Sequence, residues 1–214
     1  MSGTGDLEPR LDHLVYAVTD LEAAVAEFAE RTGVSPVEGG RHLGRGTRNH
    51  LVGLGPTSYL EIIGPDRDNP PEPATAVPFG LDRLTAPKLV TWAVRPADIE
   101  AAVVAARQAG ADHGPVQPMS RRTPDGALLE WRLASTHPAP LAGITPFLID
   151  WGDTPHPAST GLPRVELAAL HATHPDPAAV RRVSDALGIT LDVTAGPVGL
   201  RAVLVTPRGT VTLD

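Results

Sequence analysis

Leu11 to Gly33, "LDHLVYAVTDLEAAVAEFAERTG", reads as a strand running directly into an amphipathic helix. Leu14, Tyr16 and Val18 alternate with His13, Val15 and Ala17, the period of two that sends successive side chains to opposite faces of a sheet. Thr19 or Asp20 caps the helix, Glu22 stands where a capping box takes an acid, and Gly33 suits the left-handed closing turn. Leu21, Val25 and Phe28 share one helical face, away from Glu22, Glu27 and Glu30. The bulkier strand set is expected to pack on this helix, which sends His13 to the opposite face.

The unit recurs. "LVTWAVRPADIEAAVVAARQAG" carries a strand around Leu89 to Val94, a cap at Asp98 and a stop at Gly110. "VELAALHATHPDPAAVRRVSDALG" carries a strand around Val165 to Ala172, Asp176 as cap, Pro177 at the favoured first helical position, and Gly188 as stop. The caps Asp20, Asp98 and Asp176 fall 78 residues apart each time, self-similarity that points to a repeated supersecondary unit. Strand-like segments follow each helix: 35–42, 47–54 and 58–63; then 112–119, 128–134 and 145–151; then 191–194, 201–205 and 210–213. The pattern predicts an α+β fold of repeated βαβββ modules, with curled mixed sheets and helices on the outer face. The modules are placed at 11–64, 87–157 and 162–214, with a proline-rich linker over 65–86.

Composition narrows the chemistry. The 214 residues suffice for one large domain or two small ones, and none is cysteine, which removes disulfides, thiolate nucleophiles and cysteine metal sites. The net charge is −7 and arginines come in pairs, Arg121-Arg122 and Arg181-Arg182, rather than as a basic stripe, so nucleic acid is not an expected partner. The polar start "MSGTGDLEPR" and the lack of long apolar runs predict a cytoplasmic protein without membrane attachment. "HLGRGTRN" contains Gly44 and Gly46, but no Gly-Lys-Ser/Thr follows and no helix begins there, so no nucleotide cofactor is expected. No Ser/His/Asp constellation can be singled out.

The fourth strand, "YLEII", sets Leu60 and Ile62 on one face and Tyr59, Glu61 and Ile63 on the other. A carboxylate in mid-strand needs a partner as much as the histidine does. If the strands are neighbours, His13 and Glu61 share one face and suit either a divalent ion or a cross-strand ion pair. His42 and His50, on strands between them, are candidates for a third nitrogen. Thr47 and Asn49 are expected to point into the same cup. Trp92, Trp131 and Trp151 lie on second-module strands; Trp92 and Trp151 are candidate walls of a ligand site, with core packing as the alternative. Arg121, in "MSRRTPDG", is placed near the mouth, either orienting an anionic ligand or as a solvated hairpin residue. His156, in "TPHP", is a candidate cap of that mouth, and His113, His137, His171 and His174 are read as structural.

"LDHLVYAV", "GGRHLGRGTRN", "YLEIIGPD" and "PFLIDWGDTPHP" together resemble the vicinal oxygen chelate superfamily, in particular its glyoxalase-like domain proteins. The resemblance covers residues 11–157 well and the last module more loosely. It implies paired modules forming a cup, and a metal held by residues of the first and fourth strands, here His13 and Glu61. The second module departs from that pattern, with Leu89 where His13 stands and Ile149 in register with Glu61. What the resemblance implies is a small-molecule protein: a metal-dependent lyase, isomerase or dioxygenase acting on a carbonyl or enolate, with Glu61 or His13 moving a proton and a weakly held Zn, Ni, Mn or Fe ion. The alternatives are a protein that sequesters a drug-like ligand, as the bleomycin-resistance branch does, or a filled cup whose surface serves a partner. The third module has no obvious mate, so its apolar set (Leu167, Leu170, Val203 and Val205) is expected to meet its counterpart in a homodimer, or else to fold back within the chain.

Overall fold

A computed structural model describes residues 11–72 and 77–214; the polar N-terminal stretch and the middle of the expected linker lie outside the described residues. The elements in chain order are β1 (Leu11–Ala17), α1 (Leu21–Thr32), β2 (Val37–His42), β3 (Thr47–Gly53), β4 (Tyr59–Pro65), β5 (Lys88–Val94), α2 (Ile99–Gln108), β6 (Gln117–Arg122), β7 (Leu128–Ala134), β8 (Phe147–Asp150), β9 (Glu166–His174), α3 (Pro177–Ala186), β10 (Asp192–Ala195), β11 (Gly199–Thr206) and β12 (Gly209–Leu213). Short 3-10 turns lie at Pro78–Arg83, Pro140–Gly143 and Pro157–Thr160.

Each helix begins at its expected aspartate. The Asp20, Asp98 and Asp176 carboxylates accept from the backbone N–H of Ala23, Ala101 and Ala179, satisfying donors a helix start leaves free. With Asp20 rather than Thr19 as cap, Glu22 is one position early for a capping box. It pairs instead with Arg48, 3.1 Å away.

The first eight strands close into a barrel in the order β1-β4-β3-β2-β6-β7-β8-β5. Each half is wired alike: its first strand pairs parallel with its fourth, β1 with β4 and β5 with β8. The halves join where β1 runs antiparallel to β5, and where β2 meets β6 through Arg41 opposite Arg122 and His42 opposite Arg121. The barrel wall is apolar on both sides. Leu14, Val18, Leu60 and Ile62 belong to the helix-side core, whereas Val15, Ala17, Tyr59 and Ile63 belong to a second cluster inside the barrel. The period-two parity of β1 and β4 is therefore realised as expected.

The third unit repeats the element order but not the wiring. Its strands form a separate sheet in the order β10-β9-β11-β12. Here β9 pairs parallel with β10, the strand directly after the helix, making a βαβ crossover. In the barrel halves the corresponding strands are the far ends of the half-sheet. Of the two covers expected for its apolar set, a second chain or the same chain, the structure shows contacts with the same chain. Leu167 and Leu170 are buried in the same core as Leu14, Leu60 and Trp92 of the barrel. The Leu89 N–H donates to the Asp214 carbonyl and the Val165 N–H to the Gly53 carbonyl, and Arg208 reaches the Glu30 carbonyl. The sheet thus finds its cover within the chain, while Val205 remains on its exposed side. Among the described residues no helix is long and apolar enough to cross a membrane.

Candidate functional site

The barrel holds a cavity of about 570 Å³ lined by residues of both halves. His13 and Glu61 reach it from adjacent strands, because the parallel register sets His13 beside Tyr59 and Val15 beside Glu61. His13 Nε2 lies 3.7 Å from Glu61 Oε2. His42, at the end of β2, brings its Nε2 to 3.7 Å from Glu61 Oε1, and its Nδ1 lies 3.0 Å from Thr47 Oγ1. Asn49 Nδ2 donates to Glu61 Oε1 at 2.6 Å. One carboxylate thus stands between two imidazoles and one amide.

Behind His13 stands a residue that the strand pattern did not single out. Asp12 is fully buried and its carboxylate gathers three ring N–H groups: His13 Nδ1 at 2.7 Å, Trp151 Nε1 at 3.0 Å and His156 Nε2 at 3.1 Å. Burial alone would raise its pKa, but hydrogen bonds from His13 and His156 overcome that and hold the carboxyl well below the usual carboxylate range. An ionised Asp12 only accepts, so His13 Nδ1 and His156 Nε2 are the donors. This leaves Nε2 as the His13 ring atom on the Glu61 side, 3.7 Å from the carboxylate. The only sequence signal was the acid next to the histidine in "LDH". Alternation would have sent it to the helix face, but β1 is bulged between Leu11 and His13, which breaks that alternation.

The ring of Tyr59 stacks on His13 with centroids 4.7 Å apart. Burial, and then the charges of Asp12 and Glu61, push its hydroxyl pKa well up, so it remains a donor. Burial lowers the His42 pKa; Glu61 opposes this and Arg121 adds to it. His42 is therefore a neutral nitrogen donor near neutral pH.

Of the residues expected in the cup, His13, Asn49, Glu61, Arg121 and Trp151 line the cavity. Thr47 is buried beside His42 and acts on the site through that ring. Arg121 is not a solvated hairpin residue: it is 4% exposed, and its Nη1 donates to Asn49 Oδ1 at 3.4 Å. His156 lies behind Asp12 rather than at the mouth, with its Nδ1 accepting from the Ala158 N–H. Trp92 does not reach the cavity. It is wholly buried in the helix-side core and donates its indole N–H to the Ile144 carbonyl at 2.8 Å. Trp92 stands opposite Leu14 of β1 and shares its helix-facing side. Trp131, not Trp92, stands beside Trp151, with ring centroids 5.2 Å apart. His50 does not line the cavity. Leu89 faces the helix-side core as well, and the cavity instead meets Val90, Thr91 and Ile149 from the second half.

The donors suit a divalent ion in kind. His13 and His42 each present Nε2 with Nδ1 already engaged, the arrangement that orients histidine ligands, and Glu61 adds carboxylate oxygens. Among the described residues no three His, Cys, Asp or Glu side chains stand at the spacing of a complete metal site. An ion here would draw the rest of its shell from water or ligand.

Residues 11–188 match the model of the glyoxalase-like domain family. No curated protein is similar enough to the chain to match it. Among solved structures, a hypothetical protein from Staphylococcus aureus is 14% identical with a TM-score of 0.60, over 95% of this chain and 85% of that one, a likeness of fold. Methylmalonyl-CoA epimerase from Mycobacterium tuberculosis is 21% identical with a TM-score of 0.41, over 67% of this chain and 88% of that one. The Streptomyces coelicolor epimerase, in complex with 2-nitronate-propionyl-CoA, is 23% identical with a TM-score of 0.43, over 65% and 95% of the two chains. The match over most of its length, joined to the closed barrel of paired βαβββ halves, shows that this chain belongs to the glyoxalase-like domain family of the vicinal oxygen chelate superfamily.

Proposed function

We propose that the protein is an isomerase or lyase that moves a proton at the carbon next to a carbonyl of a small molecule bound in the barrel. The observation that carries this reading is the 3.7 Å gap between His13 Nε2 and Glu61 Oε2. The two atoms stand side by side on one wall of a cavity with room for a ligand. Glu61 Oε2 is the carboxylate oxygen that Asn49 leaves free, so it is the atom that takes the proton from carbon. His13, backed by Asp12, receives charge well and can take the proton onward. His42 stays neutral, and Tyr59 is positioned as a hydroxyl donor. A Zn, Ni, Mn or Fe ion held by His13 and Glu61, with His42 as the neighbouring nitrogen, would supply Lewis-acid polarisation of the carbonyl oxygen.

The test is deuterium incorporation next to the carbonyl in a panel of small ketones and 2-oxo acids, read by NMR, alongside thermal melts with each divalent ion. The expected result is exchange in the wild type that falls about a hundredfold or more in Glu61→Gln. An upward melt shift with at least one ion should be lost in His13→Ala. Exchange that is unchanged in Glu61→Gln overturns the reading. A second reading, sequestration without chemistry, draws on the Trp131–Trp151 pair and Phe147 in the wall. Tight ligand binding with no exchange and no melt response to metal would favour it.

A further inference from the structure

Arg121 is the least explained charge in the molecule. It sits on β6 directly across the barrel seam from His42, is 4% exposed and lines the cavity. A guanidinium has five N–H donors. The one side-chain partner found for it is Asn49 Oδ1, at 3.4 Å. Among the described residues no carboxylate lies within ion-pair distance of it, although Arg41, Arg48, Arg95 and Arg132 all have one. A buried charge without a counter-ion is strongly disfavoured, so this arrangement needs a reason.

Two features of the chain keep Arg121 unpaired. Asn49 stands between it and Glu61, giving its amide N–H to the carboxylate and its carbonyl oxygen to the guanidinium. The only acid lining the cavity among the described residues is thereby engaged without neutralising the arginine. Gly39 makes the second contribution. A Cβ there would come within 2.6 Å of Arg121 Nη1 and 2.4 Å of Asn49 Oδ1, so β2 gives up a side chain where these two groups need the space. Beside this polar corner the lining is apolar and aromatic, with Ile63, Trp131, Phe147, Ile149 and Trp151.

From this geometry we infer that the cavity binds a carboxylate with an apolar body, its carboxylate taken by Arg121 and its body by the tryptophan wall. The planar fork of a guanidinium matches the two oxygens of a carboxylate, and the bound anion supplies the counter-charge the protein withholds. The inference rests on the barrel cavity being the ligand site, as in the proposed function, and it specifies the substrate class of that site.

Calorimetric titration with 2-naphthylacetate and its neutral isostere 2-naphthylacetamide decides it. The wild type is expected to bind the acid about tenfold or more tighter than the amide. Arg121→Met should abolish that preference by weakening the acid alone, with Arg121→Lys, a point charge without the fork, falling between. Gly39→Ala, which crowds the guanidinium, should also weaken the acid selectively. Equal affinities in the wild type, or a preference that survives in a cooperatively melting Arg121→Met, overturns the proposal. If Arg121→Met does not fold, an unchanged preference in Arg121→Lys overturns it instead. Absence of deuterium exchange alongside an intact acid preference removes the proton-transfer reading and leaves this one standing. Exchange without any acid preference does the reverse.

Discussion

His113 offers a measurement in which burial is the leading cause of the magnitude. It follows α2, is 1% exposed, and its Nε2 has no hydrogen-bond partner among the described residues. Burial pushes its pKa down from 6.5 to about 4, with Asp112 opposing weakly. In the unfolded chain the same ring takes up its proton near the ordinary value. Between those two values the unfolded state therefore binds more protons than the folded state, and stability rises with pH. The contribution is complete above the unfolded pKa and is lost as pH falls toward the folded one. Each factor of ten in proton affinity is worth about 1.4 kcal/mol, so the full effect is about 3 kcal/mol, with about 2 kcal/mol already lost near pH 5. Burial also lowers His42 and His50, so the wild-type loss on acidification contains more than one histidine. Comparing wild type with His113→Leu by urea unfolding near neutral pH and near pH 5 isolates the single ring. The variant should lose about 2 kcal/mol less on acidification. A stability difference between the two proteins that is the same at both pH values would refute the reasoning, since it would mean that His113 titrates alike in both states.

Asp12→Ala removes the acceptor of three buried ring N–H groups and should destabilise by about 3 kcal/mol or more, with Asp12→Asn losing less; a change in Tm no larger than for a surface substitution would count against the network. Trp92→Phe deletes the hydrogen bond to the Ile144 carbonyl and leaves a gap in the helix-side core. It should lower stability by about 2 kcal/mol while leaving naphthylacetate affinity unchanged; Trp131→Leu should show the opposite balance, and weakened binding in Trp92→Phe would place that indole at the ligand. Truncation after Gly161 uncovers the barrel core that β9 to β12 share. The fragment should bind a hydrophobic dye and lose its cooperative melt, and a folded fragment with a sharp transition would refute the shared core.

Local pattern was enough wherever one residue's conformation depends on its immediate neighbours. The three aspartate caps, the parity of β1 and β4, and hence the placing of His13 and Glu61 on one face, follow from hydrogen bonds and alternation within a few residues. The GG and YLEII segments also carried enough of the family's pattern to indicate the paired modules. Pairing between distant strands is a different matter, because it is settled by which surfaces can be buried together. The irregularities in the pairing of β1 with β5 turned Asp12 toward His13 and Leu89 to the helix-side core, and no period-two reading can place a bulge that tertiary contacts create. Contact across the β2–β6 seam brought His42 and Arg121 together from positions far apart in the chain. The third unit looked like a further copy because caps and helix are local, yet its strands are wired differently. Its apolar face was covered by the barrel of the same chain, since closing the barrel left the outer surface of β1, β4 and β5 apolar and in need of a partner.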